Sequence, residues 1–317
     1  MLLYNNFIGL DIGKLNFVVA VNGEKETKEY DNATRGIKEF IKDYKNIFGQ
    51  SLCVLENTGW YELELLYTLC GQKIAVHRAD ARKVKNFIRS YGNSAKTDKL
   101  DAKVLAKYGA ERKDLLKLFT PLSKQALNLF ELVRRRQDLK QILVAAKNRL
   151  QAPSAAIIKS SCKQIIEAIT HQIEAITEKI KELINSDPIL KQKQQILKTI
   201  PGIGNIVAFE LLILLPELGS LDRRKIASLS GLAPMSNDSG KYQGYRKTYY
   251  GRNGIKPVLF LAAMAARNSK SEFRNFYENL IARGKIKMVA LAALMRKIIV
   301  IANARLRDFY TQIAIIK

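Results

Sequence analysis

Cys162, Ile166, Ile169, Ile173, Ile176, Ile180 and Leu183 recur at alternating spacings of four and three. That spacing keeps a single apolar stripe on one side of a helix for about six turns, and such a seam needs a facing helix to bury it. The partner lies just upstream. Residues 122–150 read as one helix, Pro153 stops it, and the second helix ends near Pro188. The spacing predicts an antiparallel helical hairpin with coiled-coil packing over residues 119–188. This hairpin parts the chain into residues 1–118 before it and 189–317 after it.

The first part carries strand signals. "NFIGLDIGKLNFVVAVNGEKETKEY" reads as a meander, with apolar runs on either side of Gly13-Lys14 and a turn at Asn22-Gly23. A helix at 34–48 follows, then a buried strand "SLCVLE" at 51–56. A helix near 60–71, a strand at 73–78 and helices near 80–90 and 98–110 complete the region. Three early strands followed by alternating helix and strand predict an α/β domain with a mixed sheet. The third part contains "TIPGIGNIVAFELLILL", in which Pro-Gly-Ile-Gly separates two helical runs. It has the form of a helix-hairpin-helix turn, whose glycines let backbone N–H groups approach a phosphate. A plain helix–helix turn is the competing reading. Residues 231–254 form a polar, Gly-rich loop with interleaved Tyr and basic residues, and helices run on from there.

Charge narrows the partner. The 317 residues hold 53 Lys and Arg against 29 Asp and Glu, a formal charge of +24. Residues 231–317 hold 16 basic and 4 acidic residues, whereas residues 1–118 hold 20 and 15. The C-terminal part is the stronger polyanion binder, and the N-terminal part better accommodates an acidic metal site. No apolar run approaches a membrane span, and the N-terminus lacks a basic n-region and a cleavage site, so a soluble cytoplasmic protein is expected. Cys53, Cys70 and Cys162 are far apart in apolar surroundings and read as reduced core thiols. His77 and His171, the two histidines, have no ligand-spaced neighbours, which argues against zinc and Ser-His-Asp chemistry.

Four acids stand out. Asp11 and Glu56 end two predicted strands, in "IGLDIG" and "CVLENTGWY". Asp98 and Asp101, in "KTDKLDA", share a helix face at i, i+3. Read alone, Asp98 and Asp101 cap a helix, where acids suit the positive end of its dipole. Strand ends on one sheet edge can bring distant acids together, however, and four carboxylates there repel without cations. With Mg²⁺ they become hard oxygen ligands, and two such ions can serve both oxygens of an in-line phosphoryl displacement. An Asp-x-Gly turn after a first strand also opens actin-like ATPase domains. That fold repeats its unit in a second half, where this chain has a hairpin and a basic helical region.

"GLDIGK", "ENTGWY", "KTDKLDA", "IPGIG" and "GLAPMSNDSG" occur in the order found in the DEDD insertion-sequence transposases of the IS-one-ten group, which are akin to the Piv-type DNA invertases. The chain resembles this family over nearly its whole length. The resemblance implies a RuvC-like, ribonuclease-H-type domain at 1–118 with Asp11, Glu56, Asp98 and Asp101 as its Mg²⁺ site. It implies a coiled-coil hairpin at 119–188 and a C-terminal transposase domain at 189–317 with Ser239 as nucleophile. It also implies donor and target DNA as substrates, a guide RNA from the same element, and a dimer or tetramer with shared active sites. After the matching Ser-Gly the loop continues "KYQGYRKTYY", without further serines; Ser236 is the nearby alternative. A serine hydroxyl is a weak nucleophile at neutral pH, and with no histidine in this loop a carboxylate-held Mg²⁺ is the expected activator. Two other functions fit parts of the pattern: a RuvC-like nuclease or Holliday junction resolvase without a covalent step, and a non-catalytic nucleic-acid-binding protein.

Overall fold

Strand β1 (Asn6–Ile12) has a neighbour on each side, and the first half of the chain is arranged around it. In the computed structural model residues 4–91, 98–152, 156–240 and 242–316 are described. The chain divides into two units, Met1–Leu122 and Ser123–Lys317.

In the first unit β1 is followed by β2 (Asn16–Val21), β3 (Thr27–Asp31), α1 (Thr34–Asp43), β4 (Ser51–Glu56), α2 (Leu63–Gly71), β5 (Ala75–Ala79), α3 (Ala81–Ser90) and α4 (Asp98–Arg112). The sheet order is β3-β2-β1-β4-β5. The first three strands pair antiparallel as a meander, and β4 and β5 add in parallel. This is the expected mixed sheet, with the topology of ribonuclease-H and RuvC-like domains. β1 and β4 read as unbroken apolar runs because both of their faces are buried. Ile8, Leu10 and Ile12 face α1 and α2 through Ile37, Phe40, Leu65 and Leu69. Phe7, Leu52 and Val54 face α3 and α4 through Val84, Phe87, Leu105 and Tyr108.

Two boundaries differ from the sequence reading. The helix expected at 34–48 stops at Asp43, because Tyr44 and Phe48 turn inward to pack 5.2 and 5.5 Å from the Phe40 ring. The helix expected from about 60 begins at Leu63, because the preceding residues form a loop around Glu62.

The second unit begins with α5 (Lys124–Gln151), capped by Ser123, and α6 (Lys159–Asn185). These two helices pack on each other as the predicted hairpin. Cys162 and Ile180 of the seam are buried and Ile166, Ile169, Ile173, Ile176 and Leu183 are half-buried, opposite a stripe of α5 that includes Leu129, Val133 and Leu139. One charge interrupts the apolar seam. Buried Arg136 donates to Glu210 (2.6 Å) and to Thr177 Oγ1 (2.9 Å). Burial pushes the Glu210 carboxyl up, and the guanidinium beside it opposes that rise.

Helices α7 (Pro188–Lys198), α8 (Asn205–Leu214), α9 (Arg223–Leu229), α10 (Ile255–Asn268), α11 (Glu272–Ala282) and α12 (Lys287–Ile316) complete the unit. Phe209, Leu259, Ala262, Leu294 and Ile298 form one core with Leu129, Val133, Ile180 and Ile184 at the base of the hairpin. The Pro-Gly-Ile-Gly turn precedes α8. A Cβ on Gly202, whose φ is +88°, would stand 2.3 Å from the Ala262 carbonyl of α10. Close packing on α10 therefore accounts for Gly202, while Gly204, the N-cap of α8, has open space at an added Cβ among the described residues. Between α9 and α10 the loop read at 231–254 contains two small ladders: β6 (Pro234–Met235) with β9 (Lys247–Thr248), and β7 (Asp238–Ser239) with β8 (Tyr242–Gln243). No helix among the described residues is long and apolar enough to cross a membrane.

Candidate active site

Gly9 determines how closely a helix can cover β1. A Cβ there would stand 2.0 Å from the Ala102 carbonyl oxygen and 2.4 Å from the Ala106 nitrogen, so α4 lies directly on the strand. Further along the helix, Gly109 rests on Phe7 and Val54, where an added Cβ would come within 2.9 Å of Val54 Cγ2. The helix thus runs opposite to β1, and its first turn points toward the strand's C-terminal end. Asp11 is two residues beyond Gly9 on the same face, about 7 Å along the strand. Val18, registered opposite Asp11, packs on Ala102. The turn 98–101, which carries Asp98 and Asp101, is therefore the part of α4 nearest Asp11.

Glu56 joins them through register. Leu10 of β1 pairs with Leu55 of β4 in parallel, so Asp11 and Glu56 come next, side by side on the same face. Neighbouring strands are about 4.8 Å apart. Asp11, Glu56 and Asp101 are all half-buried. The side chain of Asp98 lies outside the described residues. Among the described residues no three His, Cys, Asp or Glu side chains converge at metal-ligand spacing. The donor type fits a hard divalent cation, since carboxylate oxygens are the ligands Mg²⁺ prefers. The backbone fits as well, since Gly9 lets the helix bring its acids down onto the strand.

Sequence reasoning missed the device that holds the loop after Glu56. Glu62 is fully buried, and its Oε2 accepts from Thr58 Oγ1 and from the Trp60 N–H, both at 2.9 Å. Its Oε1 accepts from Arg78, which also donates to Asn57 Oδ1 at 2.9 Å. Burial alone would push the Glu62 carboxyl up. Hydrogen bonds from the Trp60 N–H and its own N–H, then the Arg78 guanidinium, hold it below the usual carboxylate range instead. Trp60 has φ 130°, a backbone conformation that costs a non-glycine residue about 1–3 kcal/mol. The Glu62 carboxylate fixes it there. Asn32 Nδ2 donates to the Gly13 and Tyr61 carbonyls, both at 2.9 Å. One side chain thereby ties together the loops that follow Asp11 and Glu56. The one signal in the sequence was a second acid, Glu62, closing "ENTGWYE".

Ser239 stands in the other unit under opposite conditions. It pairs with Tyr242 on a two-residue ladder, next to Gly240 at φ +57°. Ser236 and Ser239 are both exposed. The root of this arm is firmly held: Arg252 grips Glu217 through two hydrogen bonds of 2.7 and 2.5 Å and donates to the Leu214 carbonyl. Tyr242 and Tyr245 are 65% and 74% exposed. Neither histidine belongs to the arm. His77, on β5, is 2.7 Å from the Lys117 carbonyl and has its pKa lowered by burial, and His171 is exposed on α6.

Residues 8–153 match a DEDD transposase family of the IS110 type, and residues 194–278 match the transposase IS116/IS110/IS902 family. The pilin gene-inverting proteins of Moraxella bovis and Moraxella lacunata are each 28% identical to the chain over 311 residues, covering 95% of it and 96% of their own length. An uncharacterized 43.6 kDa protein of insertion element IS110 from Streptomyces coelicolor is 27% identical over 240 residues, 75% of this chain and 55% of its own. Both matched regions carry the same family, and its mixed sheet and helical C-terminal part are the architecture described above. The chain belongs to the IS110/IS116/IS902 family of DEDD transposases, related to the Piv-type pilin-inverting recombinases.

Proposed function

We propose that the chain is the DNA recombinase of an insertion sequence, acting in the cytoplasm on donor and target DNA. Strands are cut and rejoined through a covalent Ser239–DNA intermediate, with Mg²⁺ held by Asp11, Glu56, Asp98 and Asp101. The observation that carries this reading is the register that sets Asp11 beside Glu56 under the first turn of α4. When bound, Mg²⁺ supplies Lewis-acid polarisation of the phosphate and offsets the charge that develops on it. Ser239 Oγ attacks phosphorus, its bond to phosphorus forms, and the bond to one strand end breaks. The hydroxyl proton leaves to solvent at the exposed arm, and the departing strand oxygen takes up a proton. Attack by a strand hydroxyl on the phosphoserine reverses these events and releases Ser239. The bond energy is retained throughout, so rejoining needs no further cofactor.

The acids and the serine belong to different units, which suits sites completed by separate segments or by separate subunits of a dimer or tetramer. Val144 and Ile165 on the hairpin are 58% and 47% exposed and suit contact between copies. A net charge of +24 suits binding of both DNA and an element-encoded guide RNA. We assign catalysis to residues 1–118, association to 119–188 and strand attachment to 189–317.

The test is capture of a denaturation-resistant protein–DNA adduct. It should require Mg²⁺, form with the wild type and with Ser236→Ala, and be absent in Ser239→Ala. An adduct lost only in Ser236→Ala moves the nucleophile three residues upstream. Cleavage with no adduct under any condition makes water the nucleophile and gives the resolvase reading. Binding without any cleavage leaves a nucleic-acid-binding protein.

A further inference from the structure

Helices α6 and α7 follow each other directly, and a cleft of about 220 Å³ lies between them and the start of α8. Its lining is Lys181 and Asn185 from α6, Lys191, Gln194, Gln195 and Lys198 from α7, and Asn205 from α8. Lys181 and Asn185 are one helical turn apart, and Lys191, Gln194, Gln195 and Lys198 fall on one face of α7, so two polar stripes confront each other. Three ammonium groups and four carboxamides line the space, and no carboxylate is among them. Lys181 does have an acidic neighbour, Glu178 at 2.7 Å, but that residue is outside the lining. Three lysines lining one concave space give it a positive potential that favours an anion. The carboxamide N–H groups add directed hydrogen bonds that a diffuse basic surface lacks. The helices that form the cleft are anchored in the core through Ile180, Ile184 and Leu197, so its shape is fixed by packing.

We infer that this cleft is a phosphate-binding site that takes one or two backbone phosphodiesters of a nucleic acid strand and is built from residues other than Ser239 and the four acids. The assignment rests on the chain's being a nucleic-acid enzyme, and its test separates the two claims. Binding of the full-length protein to a fluorescein-labelled 30-base-pair DNA duplex, and to an RNA hairpin of the same length, is followed by anisotropy from 50 to 300 mM KCl. Wild type is compared with Lys181→Gln/Lys191→Gln/Lys198→Gln and with Lys159→Gln/Lys163→Gln/Lys179→Gln. The second triple removes the same charge from exposed positions on α6. Each lost phosphate contact lowers the slope of log K against log salt by about 0.9 on duplex DNA, so the cleft triple should lose about 2 in slope and about tenfold or more in affinity. The control triple should lose much less.

A deficit on DNA alone assigns the site to DNA, and a deficit on RNA alone assigns it to the guide. Equal behaviour of the two triples on both probes overturns the cleft while leaving the recombinase reading in place. Wild-type protein that binds neither probe overturns both. All of the substituted lysines except half-buried Lys181 are exposed, so unchanged thermal unfolding is expected for both triples.

Discussion

Asp11 and Ser239 are held in opposite ways. Asp11 is on a strand paired on both edges and covered by a helix that Gly9 admits to backbone contact. Ser239 is on a two-residue ladder exposed to solvent, beyond a root fixed by Arg252 and Glu217. In the proposed reaction, a metal site of like charges needs a frame that resists their repulsion, and the C-terminal edge of the sheet can supply it. An attacking hydroxyl has to reach a phosphate presented by a long polymer, and an exposed arm allows that approach. The difference explains why one half of the proposed chemistry is legible as fold and the other only as a short motif.

The largest effects that can break this comparison are on the reaction itself. Asp11→Asn and Ser239→Ala should each lower strand cleavage by about 10³-fold or more, as removal of a nucleophile or its activator does elsewhere. The DNA affinity of both variants should stay within a few-fold of wild type. Mixing the two inactive proteins should restore part of the cleavage if one subunit supplies acids and another the serine. A mixture as inactive as its components would place both parts of a site in one chain.

Stability should then separate the two regions. A Cβ on Gly9 would collide with the α4 backbone, so Gly9→Ala should cost about 3 kcal/mol and lower the unfolding temperature of the first unit. Gly240 has nothing among the described residues within 4 Å of an added Cβ, so Gly240→Ala should cost only about 1 kcal/mol of local backbone strain. Calorimetry of both variants checks the contrast. If Gly9→Ala melts like the wild type, α4 does not rest on β1 as described, and the first turn of α4 loses its place beside Asp11.

Much of the frame was readable because its causes are local. The meander, the parallel strands and the hairpin follow from runs and spacings within a few turns of chain. Asp11 and Glu56 were recognisable as strand-end acids, but their adjacency depends on the Leu10–Leu55 register, which no local pattern encodes. Glu62 and Asn32 were missed for the same reason. Their partners, Arg78 and the Gly13 carbonyl, are 16 and 19 residues away in sequence. The packing role of Gly202 in "IPGIG" was not legible because α10, which it packs against, begins some fifty residues later. Ile169 and Ile176 of the seam are half-buried in the hairpin. Acidic substitutions there should unfold the hairpin, whereas Val144→Asp with Ile165→Asp tests association through exposed positions.

A smaller effect concerns acid. The folded-state pKa of Glu62 is below its unfolded value, so its stabilising contribution is present above the ordinary glutamate range and is lost as pH falls through the folded value. Trp60 is the one tryptophan of the chain, so its fluorescence reports this loop without interference. Acidification should shift that emission in a transition below the ordinary glutamate range, before global unfolding. Glu62→Gln should abolish the transition and show the shifted emission already at neutral pH. An identical titration in the variant would mean that the loop after Glu56 is held by something other than this carboxylate.

The smallest effect belongs to the arm. Tyr242 and Tyr245 follow Ser239 in sequence and are largely exposed, as stacking on a nucleobase requires. Stacking contributes about 1–3 kcal/mol per base, so Tyr245→Ala should weaken DNA binding by about fivefold or more while Tyr245→Phe should leave it unchanged. The loss should be nearly independent of salt, because an uncharged ring releases no counterions. Adduct formation at saturating DNA should persist in both variants, since neither removes the hydroxyl of Ser239. That outcome would make the arm a carrier whose aromatic residues place the strand and whose serine alone reacts. Loss of the adduct at saturation in Tyr245→Ala would instead mean that the ring orients the scissile phosphate. The arm would then be as constrained in the complex as the acid edge is in the free protein.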